Sequence, residues 1–184
     1  MKPIYIFLTR SRSLPSRLIA LFTGDRYTHA SLAFDGELTS LYSFARRYPS
    51  LPLPAGLVVE HLDRGFYRTQ RGIPCAILRL RVPEAVYRSV RLRVMNMLRR
   101  SGEYRYSVLG LILCRHGIPA ERKNRYFCSQ FVAKVLSDAG ALRLPKPPSL
   151  MRPADFADPA LFSGCGIECV YRGRLGYLPA LADR

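Results

Sequence analysis

The chain has 184 residues, 48% of them hydrophobic, with 9 Phe and 11 Tyr. That composition excludes a disordered polymer and predicts one domain spanning residues 1–184 around a sizeable core. A formal net charge of +16, carried almost wholly by arginine, predicts attraction to anionic lipid or an acidic partner. The charges are scattered, however, and form no recognisable nucleic-acid motif, so no specific nucleic-acid binding is expected.

In chain order, residues 4–9 read as a buried strand. The start of the chain lacks a small-residue cleavage site and is expected to be that strand, not a signal peptide. Residues 14–22 resemble a short helix, with Ser13 as N-cap and Gly24 closing it. Thr28-His-Ala-Ser-Leu-Ala-Phe34 and Leu38-Thr-Ser-Leu-Tyr-Ser-Phe44 flank Asp35-Gly36, the strongest hairpin signal in the chain. Residues 46–56 are rich in Pro and read as a loop, and residues 57–61 and 75–81 as further strands. A helix follows Pro83 and runs to about residue 100, with Val86, Val90, Val94 and Met97 on one side. Residues 106–114 form a second, more apolar helix. From about residue 145 the prolines 145, 147, 148 and 153 predict an irregular C-terminal wrap. This order fits an α+β domain with helices on one face of a mostly antiparallel sheet.

The segment with chemical content is Asn124-Arg-Tyr-Phe-Cys-Ser-Gln-Phe-Val-Ala-Lys-Val-Leu-Ser-Asp-Ala-Gly140. From Cys128, apolar residues recur at Phe131, Val132, Val135, Leu136 and Ala139, the rhythm of a half-buried helix that Gly140 ends. A thiol in the first helical turn sits where unpaired N–H groups and the helix dipole favour negative charge. With a base to take its proton it becomes an acyl-transfer nucleophile. The ordinary alternative is a buried core cysteine.

The base must be His29, His61 or His116, the histidines the chain possesses. His116 follows a helix and His61 ends a strand. His29 opens the first hairpin arm and shares a face with Ser31 and Ala33, small residues that a helix is expected to approach closely. Ala30, Leu32 and Phe34 on the other face read as ordinary core.

Tyr27-Thr-His-Ala-Ser-Leu-Ala-Phe34, Leu41-Tyr-Ser-Phe-Ala-Arg-Arg47 and Arg125-Tyr-Phe-Cys-Ser-Gln-Phe-Val-Ala133 together resemble the circularly permuted papain-like (NlpC-type, YiiX-like) family. In that family the histidine precedes the cysteine along the chain, and the cysteine opens a helix packed on the sheet that bears the histidine. The wider group includes cell-wall peptidases and lecithin–retinol acyltransferase-like lipid enzymes. The resemblance runs from about residue 3 to Phe156 and implies Cys128 as nucleophile and His29 as base.

The third member, which orients the imidazole, depends on hairpin register. A two-residue loop sets His29 opposite Tyr42, and a three-residue loop sets it opposite Ser43. Family relatives often place a carboxylate or amide here, and neither residue is one. Ser43 is the expected choice, with Tyr42 and Glu60 behind it. The Cys128 N–H and the Tyr27 hydroxyl are the candidate oxyanion donors, Tyr27 also reading as a packing residue. Arg46 and Arg47 are candidates to meet a substrate carboxylate or phosphate, or else are solvated loop charges.

No metal or other cofactor is expected, since Cys165-Gly-Ile-Glu-Cys169 lacks a second ligand pair. The five cysteines are odd in number and, with no apolar run long enough to span a bilayer and no export signal, predict a cytoplasmic location. The expected function is cysteine-dependent hydrolysis of a peptide-like or isopeptide-like amide through a thioester. A lipid acyltransferase or esterase of the same fold and a non-catalytic basic binding module are the alternatives.

Overall fold

The structure is a computed structural model that describes residues 1–10, 24–46, 55–70 and 72–178. Its strands are β1 (Lys2–Thr9), β2 (His29–Ala33), β3 (Leu41–Arg46), β4 (Ala55–Glu60), β5 (Pro74–Val82), β6 (Arg105–Tyr106), β7 (Arg125–Tyr126) and β8 (Ile167–Arg174). Its α-helices, among the described residues, are α1 (Glu84–Arg99), α2 (Val108–Arg115) and α3 (Cys128–Asp138).

The run Ile4 to Leu8 is apolar at every position, and such a strand has to be covered on both faces. β1 accordingly lies inside a six-stranded antiparallel sheet of order β4-β3-β2-β1-β5-β8. Ile4, Ile6 and Leu8 point to one side with Ala30, Leu32, Phe44 and Leu57. Tyr5 and Phe7 point to the other, with Ala33, Leu41 and Tyr67. Among the described residues the chain is thus an α+β protein, a six-stranded antiparallel sheet with three helices packed on it.

α3 carries the packing of the first face. Phe131, Val132, Val135 and Leu136 are buried there, and the Phe131 ring lies 5.3 Å from that of Phe44. Gly140, at φ 68°, ends the helix where a side chain would be strained. α1 adds Val90 and Val94 to the same layer. β6 and β7 form a short parallel pair that feeds α2 and α3 respectively.

Several expectations are corrected. The helix lies against the Ala30–Leu32 face, not against the Ser31–Ala33 face, because the large apolar side chains that match its stripe alternate onto the former. The hairpin loop is wider than Asp35-Gly36 suggests. The Asp35 carboxylate accepts from the Thr39 N–H (2.9 Å) and hydroxyl (2.8 Å), Leu38 adopts φ 55°, and Leu32 pairs with Tyr42. His29 therefore faces neither Tyr42 nor Ser43 directly. β3 extends to Arg46 and β4 starts at Ala55, inside the span read as loop. The helix expected at residues 14–22 lies outside the described residues.

The C-terminal wrap runs through two short 3-10 turns, Pro148–Leu150 and Pro153–Ala157, and then supplies an unforeseen strand, β8, which pairs with β5 across a bulge at Ile77–Leu78. It is an edge strand with no fully buried residue, so no buried alternation marks it in the sequence. The wrap is pinned by buried Asp155, which accepts from the Arg152 N–H (2.7 Å) and from Lys146 Nζ (2.6 Å).

Candidate active site

Strand alternation places His29, Ser31, Ser43 and Glu60 on one face of the sheet. Ser43 stays on the His29 face because the observed register differs from the three-residue-loop register by an even slip. β3 and β4 pair Ser43 with Val58 and Leu41 with Glu60, so the Glu60 carboxylate projects on that same side. Tyr42 points away, against Phe34 at a ring distance of 5.6 Å.

Glu60 Oε2 lies 2.9 Å from His29 Nε2, closer than either neighbouring serine hydroxyl. The Ser43 hydroxyl is 3.2 Å from the same nitrogen and donates to the Ala30 carbonyl at 2.9 Å. The Ser31 hydroxyl is 3.3 Å from Nε2 and donates to Glu60 at 3.2 Å. Both hydroxyls thus direct their protons elsewhere and present lone pairs to Nε2–H. The carboxylate and two oxygens fix the ring, leaving Nδ1 as the nitrogen for the thiol.

Cys128 enters from the helix-covered side. Phe127 caps α3 with an extended backbone and no side-chain acceptor, so the first-turn N–H groups are not claimed by a cap. The thiol turns onto the start of β2, where its Sγ lies 4.0 Å from the Thr28 carbonyl. The β2–β3 ladder is reduced to Leu32–Tyr42. Ala30, two residues before Leu32, aims its backbone groups the same way. Its N–H bears on the Cys128 sulfur and its carbonyl on the Ser43 hydroxyl. Nucleophile and base therefore meet where β2 and β3 part.

The electrostatics follow. Burial alone pushes the Cys128 thiol up; a hydrogen bond with His29, the charge of that imidazole and the Ala30 and Ser129 N–H groups outweigh it and lower the pKa. For His29, burial alone favours the neutral ring. The Glu60 carboxylate and Cys128 reverse this and raise its pKa to about 10. Both shifts favour the charged pair, a thiolate facing an imidazolium beside the Glu60 carboxylate.

The remaining candidates are dispersed. His61 accepts from Arg64 at 2.8 Å and bonds the Thr39 carbonyl at 2.7 Å, and His116 caps α2. Tyr27 is buried, and its hydroxyl has no partner among the described residues. The charges acting most strongly on it are Arg26 and Arg172. The phenols whose titration responds to Cys128 are Tyr67 and Tyr106, both held protonated mainly by burial. Tyr67 also approaches the Thr9 hydroxyl at 3.4 Å, beside Glu60. Nothing in the sequence around Tyr67 singles it out, and Tyr106 reads there as the start of a helix. The Arg46 side chain and residue 47 lie outside the described residues.

No group of three His, Cys, Asp or Glu able to hold a metal occurs among the described residues. All five cysteines are free thiols. No helix among the described residues is long and apolar enough to cross a membrane. No protein-family model matches the chain, and no curated protein matches it.

Proposed function

We propose that the chain is a permuted papain-like, NlpC-type cysteine hydrolase that cleaves a peptide-like or isopeptide-like amide. The observation that carries this reading is the chain of contacts from a first-turn thiol to an imidazole whose far nitrogen lies 2.9 Å from a part-buried carboxylate. Glu60 takes the orienting role, because a carboxylate both fixes the ring and stabilises its positive charge, which the Ser43 hydroxyl does not.

The Cys128 thiolate attacks the amide carbonyl, forming a C–S bond and moving the carbonyl electron pair to oxygen. First-turn N–H groups of α3 supply the positive field for that oxyanion. On collapse the C–N bond breaks, and the His29 imidazolium gives its proton to the departing amine. Neutral His29 then takes a proton from water, whose oxygen displaces sulfur from the thioester. The products are a carboxylic acid and the original thiolate–imidazolium pair.

The test is acyl-enzyme trapping. The protein is mixed with activated esters and a fluorogenic amide panel, quenched in acid and digested for mass spectrometry. An acyl group on Cys128 that hydroxylamine removes, and that is absent in His29→Ala, is the expected result. Acylation spread evenly over the five thiols, or none at Cys128, would overturn the reading.

A further inference from the structure

α2 is built inside out. Its buried residues are Gly110 and Cys114, while Val108 (54% exposed), Leu109 (48%) and Ile112 (51%) face solvent, continued by Ile118 (50%). An ordinary surface helix turns such side chains inward. Here the small face is the one that fits. A Cβ at Gly110 would meet the Ser107 hydroxyl at 2.5 Å and the Phe127 ring at 3.6 Å, so the helix seats tightly beside the residue preceding Cys128. The apolar outer face is what remains, and contiguous exposed apolar surface of this kind marks an interaction site.

The flanks say what covers it. Residues 105–125 contain five basic residues and a single acidic one, Glu121. Arg105, Arg115, Arg122, Lys123 and Arg125 are all exposed. A second copy docked on this face would bring two positive rims together. An anionic bilayer surface accepts both parts, the aliphatic residues entering the headgroup–acyl boundary and the arginines meeting lipid phosphates. The eight residues of α2 are far too short to span a bilayer, so it would lie in the interface plane. We infer that the outer face of α2, with Ile118 and its basic rim, docks this protein onto anionic membrane.

The inference does not depend on the chemistry of Cys128, and Cys128→Ala is expected to dock as the wild type does. The chain has no tryptophan, so Ile112→Trp provides a single reporter. With phosphatidylcholine–phosphatidylserine vesicles its emission shifts to the blue and is quenched by brominated acyl chains. Leu109→Ser with Ile112→Ser lowers vesicle partitioning about tenfold or more. Leu92→Ser, at an exposed apolar residue on α1 (61%), leaves it unchanged. Thermal unfolding of each variant verifies the fold. Vesicle binding insensitive to the double substitution would reduce the effect to net charge and overturn the proposal. So would indole emission from the Ile112→Trp variant that stays unshifted on vesicles, a concentration-dependent dimer through this face, or a preference for an acidic polypeptide over lipid.

Discussion

Cys75 on β5 and Cys128 at the start of α3 are both buried thiols, and the structure treats them oppositely. Cys75 lies in the apolar cluster with Tyr5, Phe7 and Ile77, where burial alone pushes its pKa up to about 12. Cys128 suffers burial too, but an imidazole, two backbone N–H groups and a helix N-terminus reverse the sign. Cys114, on the small face of α2, follows Cys75 and is pushed up to about 11. Burial therefore says little about a cysteine's reactivity. What decides it is whether positive charge and oriented N–H groups accompany the burial.

Removing those partners should erase the difference between the two thiols. His29→Ala should turn Cys128 into a second Cys75, and its iodoacetamide alkylation at about pH 6.5 should fall a hundredfold or more. Glu60→Gln removes the largest influence raising the His29 pKa, so burial regains control and the pair relaxes toward neutral thiol and neutral imidazole. Alkylation at the same pH should drop about tenfold, and the pH at which reactivity begins should move upward. Ser43→Ala leaves the carboxylate in place and should change reactivity less than about fivefold. It removes the hydrogen bond to the Ala30 carbonyl, a loss of about 1 kcal/mol read as a Tm lower by about 2–4 °C. Cys75→Ala approaches the contrast from the other side: reactivity at Cys128 unchanged, with about 1 kcal/mol lost from a small core cavity.

The pH profile has a definite sign. The thiolate exists above the lowered Cys128 pKa, and the imidazolium persists up to about 10. Reactivity should therefore set in at lower pH than for an ordinary thiol and level off until His29 titrates near 10, while Cys75 and Cys114 stay silent over that plateau.

Residue chemistry makes part of this site legible in the sequence. Cys128 is readable because its apolar stripe and Gly140 delimit a helix that opens on a thiol, and His29 because few histidines compete. Glu60 stands among the candidates without a place, since its position depends on how β3 and β4 register across residues 47–54, which no turn signal fixes. The hairpin register is misleading because Asp35-Gly36 looks like the turn, whereas the Asp35 side chain closes a wider loop onto Thr39. Small residues suggest the wrong face for the helix. Packing volume, supplied by Leu32, Phe44 and Phe131, decides otherwise, and the thiol reaches the base through the parted strands instead.

The decisive experiment is a pH titration of thiolate ultraviolet absorbance, taken as wild type minus Cys128→Ser and repeated in the His29→Ala background. The wild type should show one step below the ordinary free-thiol value of about 8.5, moving above that value when His29 is removed. A step at or above the ordinary value in the wild type, or one that does not move without His29, would contradict the thiolate–imidazolium pair on which the proposed chemistry stands.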